Sequence, residues 1–329
     1  MAKGIYVGVN GVAQKVKKLY VGVGGVAKKV KKAYVGVGGV AKLSYTAEQK
    51  LVKVSPNPTA LSVGRRYLDA TTVGNYALFG SGYYGRASST VDAYNTSLTR
   101  STPTALSAAR SNLAATTVGN YGLFGGGYDD SSKVSSTVDA YNTSLTRSTP
   151  TTLSTARRNL AATTVGDYGL FGGGFSSSST VYSTVDAYNT SLTRSIPTAL
   201  SAARRYLAAT TVGNYGLFGG GYGGNSYSST VDAYNTSLTR STPTALSVGR
   251  RFLAATTVGN YGLFGGGYDS NIGYFATVDA YNISLTRSTP TALADDKENL
   301  VATTVGNYGL FGGGFDGSYY STVDAYTVE

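Results

Sequence analysis

The 329-residue chain contains no cysteine, no histidine and no tryptophan. The absence of cysteine excludes disulfide bonds, and the absence of histidine as well excludes metal sites built from thiolates or imidazoles. Every catalytic scheme that depends on a histidine base or a cysteine nucleophile is also excluded. We therefore expect no catalytic residues, no metal site and no cofactor.

Acidic residues are scarce at the N-terminus. The first 50 residues hold ten lysines and one acid, Glu48, so they carry +9 of the net charge of +11 and the remaining chain is nearly neutral. No apolar run is long enough for a membrane helix, and the start, MAKGIYVGVNGVAQKV, lacks the apolar region of a signal peptide. No segment has helical periodicity. We expect an all-β protein without a membrane span that is not exported by the usual secretory route.

The basic N-terminal region is a 14-residue repeat. YVGVNGVAQKVKKL starts at Tyr6, YVGVGGVAKKVKKA at Tyr20 and YVGVGGVAKLSY at Tyr34. Each unit reads as strand, tight turn and strand, because Asn-Gly and Gly-Gly pairs favour two-residue hairpin turns. The pattern predicts a small β-meander of hairpins over residues 1–45. The apolar face of such a module is too small for it to be stable alone, so we expect it to attach to a partner or to copies of itself.

Residues 46–329 hold six copies of a longer unit with a spacing of 45–47 residues. LFG recurs from Leu78 to Leu310, and TVDAY recurs from Thr90 to Thr322. Each unit contains four extended segments, exemplified by 114–118, 121–126, 137–141 and 144–148. Four strands per unit at this period predict a six-bladed β-propeller. The units resemble kelch repeats in the paired glycines after the second strand and the tyrosine that ends the third, but arginine replaces the usual tryptophan six residues later.

The chain ends before a fourth strand of the sixth unit. The segment before the first unit, KLVKVSPNPTALS, resembles SLTRSTPTALS, so we expect a strand at about 51–54 to complete the last blade. A short third turn would place Asp139 opposite Arg147 across a hairpin, and the same pairing recurs in the other blades, with Asp324 facing Lys53 in the sixth. Six equal copies favour a structural role for these aspartates over ligand or Ca²⁺ binding.

The six units differ from one another on one face only. The turn VGNY and the turn AYNTS are nearly constant, whereas the loop between the second and third strands and the end of the connection between blades vary. The variable loops are rich in Tyr, Ser, Gly, Asp and Asn, a composition typical of adaptable binding surfaces; free drift of surface loops is the alternative. The candidate ligand-binding residues are Tyr84, Arg86, Asp129, Asp130, Tyr182, Tyr227, Tyr274, Tyr319 and Tyr320, with Arg66, Arg158, Arg205 and Arg251 for anionic groups such as phosphate.

The YVGVGGVAKKVKK repeats resemble the first segments of tail-associated proteins of phages and prophages of Gram-positive bacteria. That resemblance implies a virion protein whose residues 1–45 dock to other tail or baseplate proteins and whose propeller contacts the host. We expect a non-enzymatic receptor-binding protein that recognises a surface polysaccharide and is made in the bacterial cytoplasm. The alternatives are a virion decoration protein without a specific ligand and a bacterial surface adhesin. Nucleic acid is a less favoured partner, because valines alternate through the lysine-rich segment as in a folded strand.

Overall fold

The computed structural model describes residues 58–328 and, before them, six strands. The chain divides into two compact units, Met1–Asn57 and Pro58–Glu329. All the described secondary structure is β, as predicted, and no helix in the described part of the chain could span a membrane.

The N-terminal unit contains three antiparallel hairpins. Their strands pair two by two in separate sheets, which gives a row of hairpins and not one continuous meander among the described strands. In the first hairpin Tyr6 pairs with Lys15 and Val9 with Val12, so the two-residue connection falls where the sequence has Asn-Gly. The strands are Tyr6–Val9, Val12–Lys15, Tyr20–Val23, Val26–Lys29, Lys32–Val37 and Val40–Thr46.

The second unit is a six-bladed β-propeller of antiparallel blades, as predicted. The first strands, which contact one another from blade to blade and form the inner wall, are Asp69–Val73, Ala114–Val118, Ala161–Val165, Ala208–Val212, Ala254–Val258 and Val301–Val305. The second strands are Tyr76–Gly80, Tyr121–Gly125, Tyr168–Gly172, Tyr215–Gly219, Tyr261–Gly265 and Tyr308–Gly312. The third strands are Val91–Tyr94, Val138–Asn142, Val185–Asn189, Val231–Asn235, Val278–Asn282 and Val323–Thr327. The short outer strands are Arg100–Ser101, Arg147–Ser148, Arg194–Ser195, Arg240–Ser241 and Arg287–Ser288, and blade five adds a small hairpin, Tyr268–Asp269 with Gly273–Tyr274.

The outer strands are shorter than the sequence pattern suggests because an asparagine turn takes up their first residues. In blade two the side-chain oxygen of Asn142 accepts the backbone N–H groups of Ser144 at 3.0 Å and Thr146 at 2.9 Å. Leu145 between them has a φ of 60°, which is outside the strand region. The other four AYNTS-type turns are built in the same way. The NTS and NIS segments therefore form structural turns.

The core lies between successive blades. Alanine, valine and leucine side chains of one blade pack against a phenylalanine and a tyrosine of the next, for example Val118 and Leu123 against Phe171 and Tyr188. In blades one to five the glycine that ends the second strand makes room for that phenylalanine, because a Cβ added at Gly125, for example, would lie 2.8 Å from Cε1 of Phe171. These glycines therefore allow the close contact between blades.

Blade six exposes the face that its counterparts bury. Val118, Val165 and Val212 are 0% exposed, whereas the equivalent Val305 is 45% exposed and Val323 on the third strand is 62% exposed. The described part of this blade has three strands. The predicted closing strand at 51–54, and Lys53 with it, lie outside the described residues.

In blades one to five each repeated aspartate contacts two cations, of which only the arginine of the outer strand was predicted from sequence; among the described residues Asp324 of blade six contacts Lys297. In blade five Asp279 meets Arg287 at 2.7 Å, but the register places Arg287 opposite Tyr281, so the pair is diagonal and not directly opposed. Asp279 also meets Arg250 of the preceding connection at 2.9 Å and accepts the N–H of Ser247 at 3.0 Å. The aspartate thus fastens the connection to its own blade, which is the structural role expected. The equivalent connection cations are Arg65, Arg110, Arg157, Arg204 and Lys297.

Candidate functional site

The two variable loop families lie together on one face of the propeller. In blade three Arg158 of the connection forms a β-bridge with Phe175 of the loop after the second strand, and Phe175 in turn bridges Val181. Equivalent bridges join the connection and the loop in the other blades. The constant turns lie at the opposite ends of the same strands. We call the side with the variable loops the loop face.

A cavity of about 490 Å³ opens on the loop face at the propeller axis. Each blade contributes the residue before the conserved leucine of its connection, so aromatic and amide side chains surround the opening. Backbone hydrogen bonds join these residues from blade to blade, as in Asn159 N–H to the carbonyl of Asn112 at 3.0 Å and Tyr206 N–H to the carbonyl of Asn159 at 3.1 Å. The contributing residues are Tyr67, Asn112, Asn159, Tyr206, Phe252 and Asn299. We call this cavity the axial cavity.

All six of these residues adopt the left-handed backbone conformation. Asparagine accepts it readily, and Asn159 has a φ of 51°. Tyr67, Tyr206 and Phe252 have φ values of 56°, 57° and 57°, which is unfavourable for bulky side chains. Backbone strain of this kind concentrates at binding and catalytic sites. The strained aromatic positions mark the mouth of the axial cavity as a candidate site.

Arginine and aromatic side chains alternate along the loop face of blades two to five. The Arg158 guanidinium lies 4.2 Å from the centre of the Tyr128 ring and 4.6 Å from that of Phe175. Arg205 lies 4.2 Å from the centre of Phe175, and Arg251 continues the series. We call this series the arginine–aromatic belt, and its members are Tyr128, Arg158, Phe175, Arg205, Tyr222, Arg251 and Tyr268.

The belt arginines keep unused hydrogen-bond donors. The Nε atoms of Arg158, Arg205 and Arg251 are buried and find no acceptor in the part of the chain that the structure describes. The recorded ion pairs involve the arginines of the connections and outer strands instead. A guanidinium stacked between rings is oriented and still presents its in-plane N–H groups to an anion. Three of the four arginines proposed from sequence for anionic groups thus lie in one arrangement suited to such groups.

The fourth predicted arginine, Arg66, lies in a separate groove between blades one and two. This groove has a volume of about 660 Å³ and is also lined by Arg86, Asp129 and Asp130. Both aspartates accept hydrogen bonds from backbone N–H groups. Asp129 accepts the N–H groups of Ser131 at 2.9 Å and Lys133 at 3.0 Å, and Asp130 accepts that of Ala87 at 2.5 Å. These two carboxylates therefore shape the groove.

The predicted tyrosines are scattered over the loop face. Tyr319 is 90% exposed and Tyr84, whose hydroxyl accepts a hydrogen bond from Arg86, is 39% exposed. Tyr182 is partly buried. Tyr227 and Tyr274 pack against other rings, at 5.1 Å from Tyr222 and 5.0 Å from Tyr268.

Tyr320 is held by its neighbour in the sixth blade. Its hydroxyl donates to Asp316 at 2.7 Å, and this hydrogen bond is the main cause that raises the pKa of Tyr320 to about 12. None of the predicted tyrosines lines the axial cavity.

Asp69 is the carboxylate that lines the axial cavity, and the sequence analysis did not select it. Its two oxygens accept the N–H groups of Ala70 and Ala115, each at 2.8 Å. Burial raises the pKa of Asp69 to about 6, against the lowering effect of these two hydrogen bonds. Comparison of the six units could have identified Asp69 as unusual, because four of the other five blades have alanine at this position and the last has valine.

The residues at the mouth of the axial cavity are part of the variable ends of the connections. These ends read RRY, RSN, RRN, RRY, RRF and KEN in blades one to six, and the third residue of each lies at the mouth. Their importance depends on six connections meeting at one axis, which no single repeat reveals. Of the residues proposed from sequence, the axial cavity includes Arg158 alone.

No family model matches the chain, and no curated protein matches it. Among solved structures, the chain is similar to YjhT, with a TM-score of 0.65 and 12% sequence identity over 82% of this chain and 97% of that one. Similarity at this level of identity concerns the fold alone. It agrees with the six-bladed propeller described above.

Proposed function

We propose that this protein is a non-enzymatic receptor-binding protein of a phage tail or baseplate, and that its loop face binds an anionic polysaccharide of the host surface. The observation that carries the proposal is the arginine–aromatic belt. Arg158, Arg205 and Arg251 present oriented cations between ring faces on the side of the propeller where the repeats differ. Aromatic faces suit sugar rings, and guanidinium groups suit phosphate or carboxylate substituents.

The attachment role rests on the resemblance of the N-terminal repeats to tail-associated proteins. A module of three short hairpins with a high positive charge needs a partner to be stable. We propose that residues 1–45 dock to other virion proteins or to copies of the chain. The variable loop face would then point to the host cell, and the protein would be located in the virion.

The binding role is tested with the full chain on a glycan array and on whole host cells. The variant Arg158→Gln/Arg205→Gln/Arg251→Gln removes three charges from the belt, and Arg100→Gln/Arg194→Gln/Arg287→Gln removes three from the outer strands. We expect the first variant to lose binding to phosphate-bearing glycans and the second to keep it. Binding of the unaltered chain should weaken with salt, because exposed charges are screened.

The receptor-binding proposal would be refuted if the unaltered chain bound no cell or glycan while it was still incorporated into virions. That result would favour a decoration protein. Recovery of the chain in bacterial envelopes and not in purified virions would favour an adhesin. Equal losses in the two triple variants would show that net charge, and not the belt, accounts for the binding.

A further inference from the structure

A carboxylate at the wall of the axial cavity breaks the sixfold pattern of the propeller. The first residue of the inner strand is Ala114, Ala161, Ala208 and Ala254 in blades two to five and Val301 in blade six. Blade one alone has a charged group there, Asp69. Since small apolar residues complete the same strand in every other blade, the fold does not require a carboxylate at this position.

The Asp69 carboxylate is held in place without a basic partner. Its hydrogen bonds come from two backbone N–H groups, and no ion pair of the described residues includes it. The other charged side chain that lines the cavity is Arg158, which is stacked against Tyr128 and Phe175. Burial disfavours the charged form of Asp69 and raises its pKa to about 6, yet the group is mostly ionised at neutral pH.

Aromatic rings surround the mouth of the same cavity. Tyr206 and Phe252 lie with their ring centres 4.4 Å apart, and Tyr67 contributes a third ring that is 50% exposed. All three occupy left-handed backbone positions where asparagine, the choice of the other three blades, is less strained. Each of these rings already carries a guanidinium group, with Arg66 5.0 Å from the ring centre of Tyr67, Arg205 5.2 Å from that of Tyr206 and Arg251 4.8 Å from that of Phe252, so the three rings pack against cations in this structure. A carboxylate and aromatic rings that line one cavity can recognise a substituted ammonium group through charge and cation–π attraction.

We propose that the axial cavity is a binding site for a substituted ammonium group, with Asp69 as its counter-ion and Tyr67, Tyr206 and Phe252 as its aromatic wall. The cavity adjoins the arginine–aromatic belt, since Tyr128 and Arg158 belong to both, but the proposal does not depend on the proposed receptor-binding function. The ligand is a quaternary or alkylated amine, whether it is a small molecule or a substituent of a larger glycan.

The test measures the affinity of the full chain for choline, whose charge does not depend on pH, and for its neutral isostere 3,3-dimethyl-1-butanol, by calorimetry or ligand-observed NMR. We expect choline to bind more tightly than the isostere by about tenfold or more, as for a charge-assisted contact. Asp69→Asn and Asp69→Ala should lose that advantage. Alanine matches four other blades, so the second variant should fold.

Asp167→Asn is the matched control, because it removes one carboxylate from a constant turn where the other five units already have asparagine. It should bind choline as the unaltered chain does. From pH 7.5 to 5.0 choline binding should weaken about tenfold as Asp69 takes up a proton. The other ionisable side chains of the cavity are Tyr67, Tyr128, Arg158 and Tyr206.

Absence of choline binding at millimolar concentration, equal affinity for choline and its isostere, or an unchanged affinity in Asp69→Ala would each overturn the proposal. Asp69→Ala separates this test from that of the proposed function, because it should lose choline binding while it keeps binding to the anionic glycan.

Discussion

The two cations that hold each repeated aspartate should differ greatly in their effect on stability. In blade five Arg250 and Arg287 contact the same carboxylate, Asp279, at 2.9 and 2.7 Å. The Arg250 side chain is 0% exposed and that of Arg287 is 25% exposed. Burial lowers the pKa of Arg250, and the charge of Asp279 opposes this effect. The stability losses caused by Arg250→Met and Arg287→Met therefore show the effect of burial, because both arginines contact the same carboxylate at nearly the same distance.

We expect Arg250→Met to lower the free energy of unfolding by about 3 kcal/mol, because it leaves a buried carboxylate with one partner fewer. That figure is at the low end of the usual range, since Asp279 retains Arg287 and the N–H of Ser247. Arg287→Met should cost about 0.5–1 kcal/mol, because water can replace the lost contact at a partly exposed site. In thermal unfolding the first change corresponds to roughly 6 °C or more and the second to about 2 °C.

Chemical denaturation of both variants, followed by tyrosine fluorescence or circular dichroism, measures the two costs. The double variant Arg250→Met/Asp279→Leu should recover much of the loss, since it removes both fully buried charges. Equal costs for the two arginines, or a double variant less stable than Arg250→Met, would refute the assignment of Arg250 as the buried partner on which the connection depends.

Three further perturbations follow from the same structure. Because the folded state raises the pKa of Asp69 to about 6, its ionisation opposes folding above that pH and has no cost below the unfolded value of 3.8. Asp69→Ala should therefore be more stable than the unaltered chain by about 1–2 kcal/mol at pH 7.5, and denaturation at pH 4 should show the gap closing; a constant gap would contradict the pKa shift. Tyr67→Asn should raise the free energy of unfolding by about 1 kcal/mol by relieving a left-handed tyrosine, and a destabilised variant would mean that ring packing outweighs the strain. Gly125→Ala should cost about 1–3 kcal/mol because its Cβ would meet Phe171 at 2.8 Å, whereas Gly312→Ala, whose Cβ would have a nearest neighbour at 3.5 Å, should be neutral within about 0.5 kcal/mol. Equal costs at the two glycines would show that the exposed face of blade six is covered in solution.

Most of the blade could be predicted from the repeat itself. The strand at 114–118 was placed at its observed bounds, and the second and third strands were placed to within one residue, because alternation and turn residues are local signals. The outer strand was predicted too long, since the asparagine turn and a left-handed leucine take its first residues. The pairing of Asp139 with Arg147 was found, but the deeper partner Arg110 was not, because it lies 29 residues away along the chain.

The candidate site could be predicted only in part. The sequence showed that one face varies, and it selected Arg158, Arg205 and Arg251, which the fold places in one belt with aromatic rings. It selected Asp129 and Asp130 as ligand contacts, and in the structure one oxygen of each carboxylate accepts backbone N–H groups. Hydrogen-bond partners of this kind depend on loop geometry, which composition does not specify.

The sequence by itself determined the architecture, because a unit that repeats six times with four alternating segments can bury its apolar faces only against its own copies. Tertiary structure decided what lies at the axis. Phe252 lies far along the chain from Tyr67 and Asp69, and these residues form one site only because six connections converge on one cavity. Convergence of this kind is a property of six blades arranged around one axis, whereas strand and turn signals are properties of a few consecutive residues.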